Sequence, residues 1–382
     1  MAENELPIDV GDETSEESQT PLEEKYREQM RQIVSQKIEL PISTLPGMIK
    51  EQIDLNPSFQ RRDRWKDDKR SRFIESIIMN VPIPPVFLGE NEYGNYVVLD
   101  GRQRLTAIHE FLRNTYTLQK LVVWSELNGS NFHDLEKRNL ERTITRRFVP
   151  AIVILKESSP QVKYDVFDRL NTGGVIAEPM EIRNAIYGGE FNRLLHKLSR
   201  EATFKRLWDL PLDQAQLEAN PLYSKMGDLE LVLRFFALLH YDRMNLRFKD
   251  YLGDFMDQRN HEYKRNPAEL EQQDTELFNR AITNAWTIFG NDAFRKPSNG
   301  QLTKKSAPLA DAVMVALSSI QPDLITESVG FEMRTRINEL CGLDTEFQKA
   351  IGSGTNGKGA IKYRIEAVKR VVAEATSRVP TN

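Results

Sequence analysis

Phe148–Leu155 is the last run of this 382-residue chain that reads as a β-strand, and no other feature of the sequence constrains the fold as much. Before it, short apolar runs alternate with segments of helical period. Lys37–Leu40 and Ile53–Leu55 read as extended, with a helix between them that Ser43 can cap. Asp67 and Asp68 open a helix whose Phe73, Ile74, Ile77 and Ile78 fall at helical spacing. That helix must stop before Val81-Pro-Ile-Pro-Pro, because proline lacks an N–H and biases its predecessor to extended geometry. Val86–Leu88 and Tyr96–Leu99 are short strands joined by Asn91-Glu-Tyr-Gly-Asn, a hairpin signal. A helix with Leu105, Ile108 and Leu112 on one face then follows Gly101. After residue 157 only helical patterns remain: Pro160–Leu170, a helix between Pro179 and Gly188, the strongly apolar Leu229–Tyr241, and four more at 267–289, 309–319, 331–340 and 360–377. The expected class is α+β. A small mixed domain spans 25–157, a helical connector 158–200, and an all-helical domain 201–382.

The net charge of −4 conceals an uneven spread. Residues 1–24 carry nine acids and no Lys or Arg, so the 52 bases of the chain face only 47 acids over residues 25–382. A segment so acidic and so poor in large apolar residues cannot repay its ordering entropy, and residues 1–24 are expected to be a disordered tail. No apolar run approaches the length of a membrane span, and MAENELPIDV lacks the basic start and apolar stretch of a secretory signal. A single cysteine, Cys341, excludes an internal disulfide framework and a cysteine-rich zinc site. The expected location is the cytoplasm, away from any membrane.

Chemistry concentrates in Tyr96-Val-Val-Leu-Asp-Gly-Arg-Gln-Arg-Leu. A strand ends, Gly101 permits a tight turn, and a helix begins at once. The first turn of a helix offers unpaired N–H groups and a positive dipole end, which suit a phosphate. Arg102 and Arg104 can grip phosphate oxygens through paired donors, and Asp100 is placed to hold a metal ion or orient a water. The same residues also fit an N-cap aspartate beside two solvated arginines. A second cluster, Phe59-Gln60-Arg61-Arg62-Asp63-Arg64-Trp65-Lys66, begins a stretch from Arg61 to Arg72 with seven bases and three acids. Rings among bases suit a nucleic-acid or nucleotide surface, and a solvated charged loop is the alternative. The third candidate is Asn171-Thr-Gly-Gly, where backbone amides can approach a ligand or where a helix simply ends.

Two further patterns are set aside. Gly352-Ser-Gly-Thr-Asn-Gly-Lys358-Gly359 approaches a P-loop, but Gly359 occupies the position of the required Ser/Thr. The residues before it also read as helix where a P-loop needs a strand, so a flexible inter-helix turn is expected. The five histidines show no metal-ligand spacing, although His109 lies on the helix after the glycine turn and could approach it.

Together, PSFQRRDRW with VPIPPVFL, YVVLDGRQRLTAI, and FDRLNTGG with EPMEIRNAIYGG resemble the N-terminal domain of GmrSD-type restriction endonucleases, a branch of the ParB/sulfiredoxin-like fold. The resemblance covers about residues 37–200. The family motif reads Asp-Gly-Gln-Gln-Arg. Arg102 stands here in place of its first glutamine, a change that bears on ligand selectivity. The resemblance implies a nucleoside triphosphate and a divalent cation (Mg) as cofactors, with a role in defence against foreign or modified DNA. On that basis Asp100 would be catalytic and hold the metal. Gly101, Arg102, Gln103, Arg104, Arg61, Gln60 and Asn171 would contact nucleotide or phosphate, and Arg62, Arg64 and Lys66 would contact DNA. No His-Asn-His nuclease signature occurs in the second half of the chain. The cutting activity would then belong to a partner protein, or the ParB-like domain would itself nick DNA, or the chain would serve as a non-catalytic DNA-binding or assembly subunit. A homo-oligomer is also compatible with the sequence.

Overall fold

The computed structural model describes residues 33–55, 65–91, 94–158, 160–170, 178–298, 301–352 and 355–377. The tail expected over residues 1–24 lies outside them. Five strands, β1 (Ser35–Pro41), β2 (Ile53–Asp54), β3 (Val86–Glu90), β4 (Tyr96–Asp100) and β5 (Phe148–Ile154), form one mixed sheet in the order β1-β5-β3-β4-β2. β1 pairs antiparallel with β5 and β3 with β4, whereas β2 runs parallel to β4 and β3 parallel to β5. The helices beside the sheet are α1 (Leu45–Glu51), α2 (Asp67–Ile78), α3 (Arg102–Leu112), α4 (Pro160–Leu170), α5 (Pro179–Ile186) and α6 (Glu190–Leu198). The longer helices that follow are α7 (Gly227–Leu238), α8 (Phe248–Arg265), α9 (Pro267–Phe289), α10 (Ala307–Leu317), α11 (Glu327–Leu343) and α12 (Lys358–Thr376). No helix among the described residues is long and apolar enough to cross a membrane.

The strands alternate strictly, and each parity of residue serves a different core. Val86, Leu88, Val98, Val149, Ala151 and Val153 face a core completed by Ile74 and Ile77 of α2 and by Leu105, Ile108 and Phe111 of α3. The intervening Phe87, Leu99, Ile152 and Ile154 belong to a second core with Tyr164 and Phe167 of α4, Met180 and Ile182 of α5, and Phe191 of α6. Both faces of the sheet are therefore covered by helix, and neighbouring residues of β4, Val98 and Leu99, are anchored in opposite layers.

Two expectations need correction. The C-terminal region is not all helical, because β6 (Arg295–Ser298) and β7 (Gln301–Lys305) pair antiparallel, with Ser298 opposite Gln301. Asn299-Gly300 lies between them in the sequence, the dipeptide most typical of a two-residue hairpin, and the charged residues around it hide the apolar alternation that marks a strand. The first helix has Thr44, not Ser43, at its N-cap, and no side chain caps it. Its Pro46 sits in the first turn, where the missing N–H costs nothing.

Deep in the helical region, Asp311 of α10 lies between two arginines. Arg234 of α7 donates from Nε (3.0 Å) and Nη2 (2.6 Å) to its two oxygens. Arg364 of α12 donates to Oδ2 at 2.7 Å and also reaches the carbonyls of Ala350 and Thr355. All three side chains are buried. A buried charge that loses its partner is strongly destabilising, so this triad fixes how the three helices meet.

Candidate functional site

The strand-to-helix turn hinges on Gly101. β2 pairs only with Tyr96 and Val97, so Val98–Asp100 run on past the end of β2. Gly101 follows at φ 91°, ψ 11°, a left-handed conformation that L side chains rarely adopt. Space excludes a side chain as well: a Cβ on Gly101 would lie 2.5 Å from Val86 Cγ1 and 2.9 Å from Val86 Cβ. The Leu105 N–H donates to the Gly101 carbonyl at 3.0 Å, so helix geometry begins directly behind the glycine. The N–H groups of Arg102, Gln103 and Arg104 form the first turn, which has no acceptor within its own helix.

Arg104 locks this turn to its surroundings. Its Nη2 donates to Asp100 Oδ2 at 2.7 Å, an ion pair that spans the glycine. Its Nη1 reaches the carbonyls of Pro84 and, at 3.2 Å, Pro85. The proline run before β3 thus supplies acceptors that the sheet leaves unpaired, and one guanidinium satisfies them while holding Asp100 in place. The Arg104 side chain is 13% exposed and that of Asp100 37%, so the carboxylate faces outward from a mostly buried arginine. The four-residue spacing of Asp100 and Arg104 is the sequence signal that would have announced this pair.

Gln103 points the other way, to the second cluster. Its Oε1 accepts the backbone N–H of Trp65 at 3.1 Å. The Trp65 ring stands edge-on to Phe73 of α2 at 5.6 Å, and the Lys69 ammonium lies 4.7 Å from its centroid. Helix α2 is itself clamped to α3 by Arg70, which pairs with Asp67 and Glu110 and lies over the Tyr116 ring at 4.1 Å. Two motifs that lie 38 residues apart in sequence therefore meet at the N-terminus of α3. Lys66, exposed, stands at the N-cap of α2 beside this junction.

Gln60, Arg61, Arg62, Arg64 and Asn171 lie outside the described residues. The helices that flank the Asn171 segment, α4 and α5, both pack against β4, with Phe167, Met180 and Ile182 in one core with Leu99. Arg102 and Gln103 are half-buried at the turn. His109 lies two turns further along α3, and its Nδ1 is buried with no hydrogen-bond partner among the described residues. Burial lowers its pKa, Arg113 adds to the effect, and Glu110 opposes it. No three His, Cys, Asp or Glu side chains gather to hold a metal among the described residues. A divalent ion at Asp100 would therefore take most of its ligands from phosphate oxygens and water, the usual habit of Mg.

Fold and turn together define a mixed α/β protein that presents an arginine-flanked strand-to-helix turn beyond the end of β2. Residues 42–188 match the family model of the GmrSD restriction endonuclease N-terminal domain. The domain marks a component of a restriction or defence system. No curated protein and no solved structure matches the chain.

Proposed function

We propose that the chain is the NTP-binding and NTP-hydrolysing module of a DNA restriction system, with the mixed domain expected over residues 25–157 of ParB/sulfiredoxin-like type. The observation that carries this reading is the turn itself. The first-turn N–H groups of α3 and an Asp100 carboxylate held by Arg104 flank a glycine at positive φ where a side chain would clash with Val86. The phosphates would lie on the α3 N-terminus with Arg102 beside them. Asp100, held by Arg104, would orient the attacking water or a divalent ion brought by the nucleotide. Catalysis of this kind rests on positioning and charge stabilisation. The family match supports DNA as the target. The basic stretch ending at Lys66, adjacent to the turn through Trp65 and Gln103, would meet its backbone.

Calorimetric titration of ATP and GTP with Mg, paired with a phosphate-release assay with and without DNA, tests the reading. Arg102→Ala should weaken nucleotide binding about tenfold or more, the loss of one charge-assisted contact worth roughly 1.5–3 kcal/mol. Asp100→Asn should keep binding and lose turnover. Wild-type protein that neither binds nor hydrolyses either nucleotide, with DNA present, refutes the reading.

A further inference from the structure

A cavity of about 580 Å³ opens between the N-terminal end of α5, the segment leading into α8, and the N-terminus of α12. It is separate from the Asp100 turn, and its wall includes Asn356, Gly357 and Lys358 of the glycine-rich stretch that fails as a P-loop. The helix behind these residues, α12, is 19 residues long and has Gly357 at its N-cap with no side chain capping it. Its first N–H groups and its dipole end are thus offered beside the cavity. Lys249 and Lys358, both exposed, stand at the rim, and Met244 and Phe248 provide an apolar floor.

Arg183 of α5 gives a second, independent indication of what this cavity takes. Its side chain is 2% exposed, it lines the cavity, and its Nε has no hydrogen-bond partner among the described residues. Its other nitrogens reach Glu230 Oε2 (3.2 Å) and the Lys249 carbonyl (2.9 Å). Glu230 is shared with Arg234 at 4.0 Å, and Arg234 leads through Asp311 to Arg364, which also donates to the Thr355 carbonyl next to Asn356. This network carries three buried guanidinium groups and two carboxylates, of which only Asp311 is buried and Glu230 is half-buried. Burial holds the Arg364 guanidinium below its ordinary pKa, Asp311 opposes this, and Arg234 adds to it. A buried excess of positive charge is costly in the absence of an anion.

We propose that this cavity binds a phosphate monoester carried on a flat ring, the chemistry of a nucleotide. The phosphate sits between Lys249, Lys358 and the N-terminus of α12, and the ring lies over Met244 and Phe248. A volume of about 580 Å³ falls within the range of small-molecule sites. A free mononucleotide and the 5′-phosphorylated end of a DNA strand share this chemistry.

Both sources are tested by calorimetric titration of the full chain with AMP, with a short 5′-phosphorylated oligonucleotide, and with its unphosphorylated twin. AMP or the phosphorylated strand should bind, the unphosphorylated twin at least about tenfold more weakly, a difference of roughly 1.4 kcal/mol. Tighter binding of AMP assigns the cavity to free nucleotide, and tighter binding of the phosphorylated strand assigns it to a strand end. A Lys249→Ala/Lys358→Ala double variant should lose binding at least about tenfold. Both lysines are exposed, so its unfolding midpoint should match wild type, and AMP should raise that midpoint in wild type only. AMP binding that survives unchanged in the double variant would belong to the Asp100 turn and not to the cavity. Binding by neither phosphorylated ligand, or equal binding by wild type and the double variant, overturns the proposal.

Discussion

Gly101→Ala is the substitution that tests most directly how the turn is built. Two costs are legible in the structure. An alanine held at φ 91° pays for left-handed geometry, about 1–2 kcal/mol. Its Cβ would also stand 2.5 Å from Val86 Cγ1, well inside any real carbon–carbon contact. Val86 is fully buried, and its strand is paired to β5 with Val86 opposite Ala151, so it cannot swing aside. Overpacking of that kind costs typically about 1–3 kcal/mol. The sum, about 2–5 kcal/mol, is a large share of the stability of an ordinary protein. Urea titrations of wild type, Gly101→Ala, Val86→Ala and the double variant separate the two costs. The clash should be partly relieved when Val86 loses its Cγ atoms, giving a coupling energy of about 1 kcal/mol or more. The backbone cost should remain in the double variant. A Gly101→Ala protein within about 0.5 kcal/mol of wild type, or a coupling indistinguishable from zero, would refute the reasoning.

Two further outcomes follow from buried charge. Asp311→Ala should cost about 3–5 kcal/mol in urea unfolding, because Arg234 and Arg364 would share a dry site with no carboxylate between them; a loss under about 1 kcal/mol would show that water reaches the site. His196 gives a pH signature. Burial, with Arg200 adding to it, pushes its pKa down to about 3, while Nε2 lies 2.8 Å from Asn184 Oδ1. The unfolded chain takes up the proton near the ordinary value of about 6.5, so the stability that neutral His196 contributes is complete above that pH. It is lost as pH falls below it, by up to about 1.4 kcal/mol per unit. Asp228, raised to about 6 by burial, opposes this trend below pH 6. His196→Gln should therefore flatten the fall in stability between pH 7 and 6, measured by urea titration, and an unchanged slope would show that the imidazole titrates normally.

The strand–glycine–helix turn was readable because each part rests on local physics: a short apolar run for β4, a single residue type tolerant of positive φ, and helical spacing in Leu105 and Ile108. The helix over 267–289 was legible for the same reason, and α9 spans Pro267–Phe289. The ties made by Arg104 to Pro84 and Pro85 were not legible, since they depend on how β3 and β4 pair. The apolar run Tyr96–Leu99 marked a strand but could not say that helices about 60 to 100 residues further on would cover the Leu99 side. The β6–β7 hairpin was missed because its residues, Arg295-Lys-Pro-Ser and Gln301-Leu-Thr-Lys-Lys, have almost no apolar face to read. The Arg183 cavity was invisible because its walls come from three places far apart in the chain.

The way β1 is paired sets the order in which this protein can be made. Ser35 lies opposite Ile154, so the first strand to leave the ribosome waits for about 120 further residues before its partner emerges. Even then Leu99 and Ile154 stay open to water until α4, α5 and α6 have been synthesised. Long-range pairings of this kind form late and leave apolar surface available to other chains in the interval. The family segment begins at residue 42, just after β1, and ends at 188, before α6. Cut out on its own, it would lose the strand along β5 and one of the helices over Leu99. The unit recognised by sequence is therefore smaller than the unit that folds, and a fragment trimmed to it is expected to aggregate where the full chain does not.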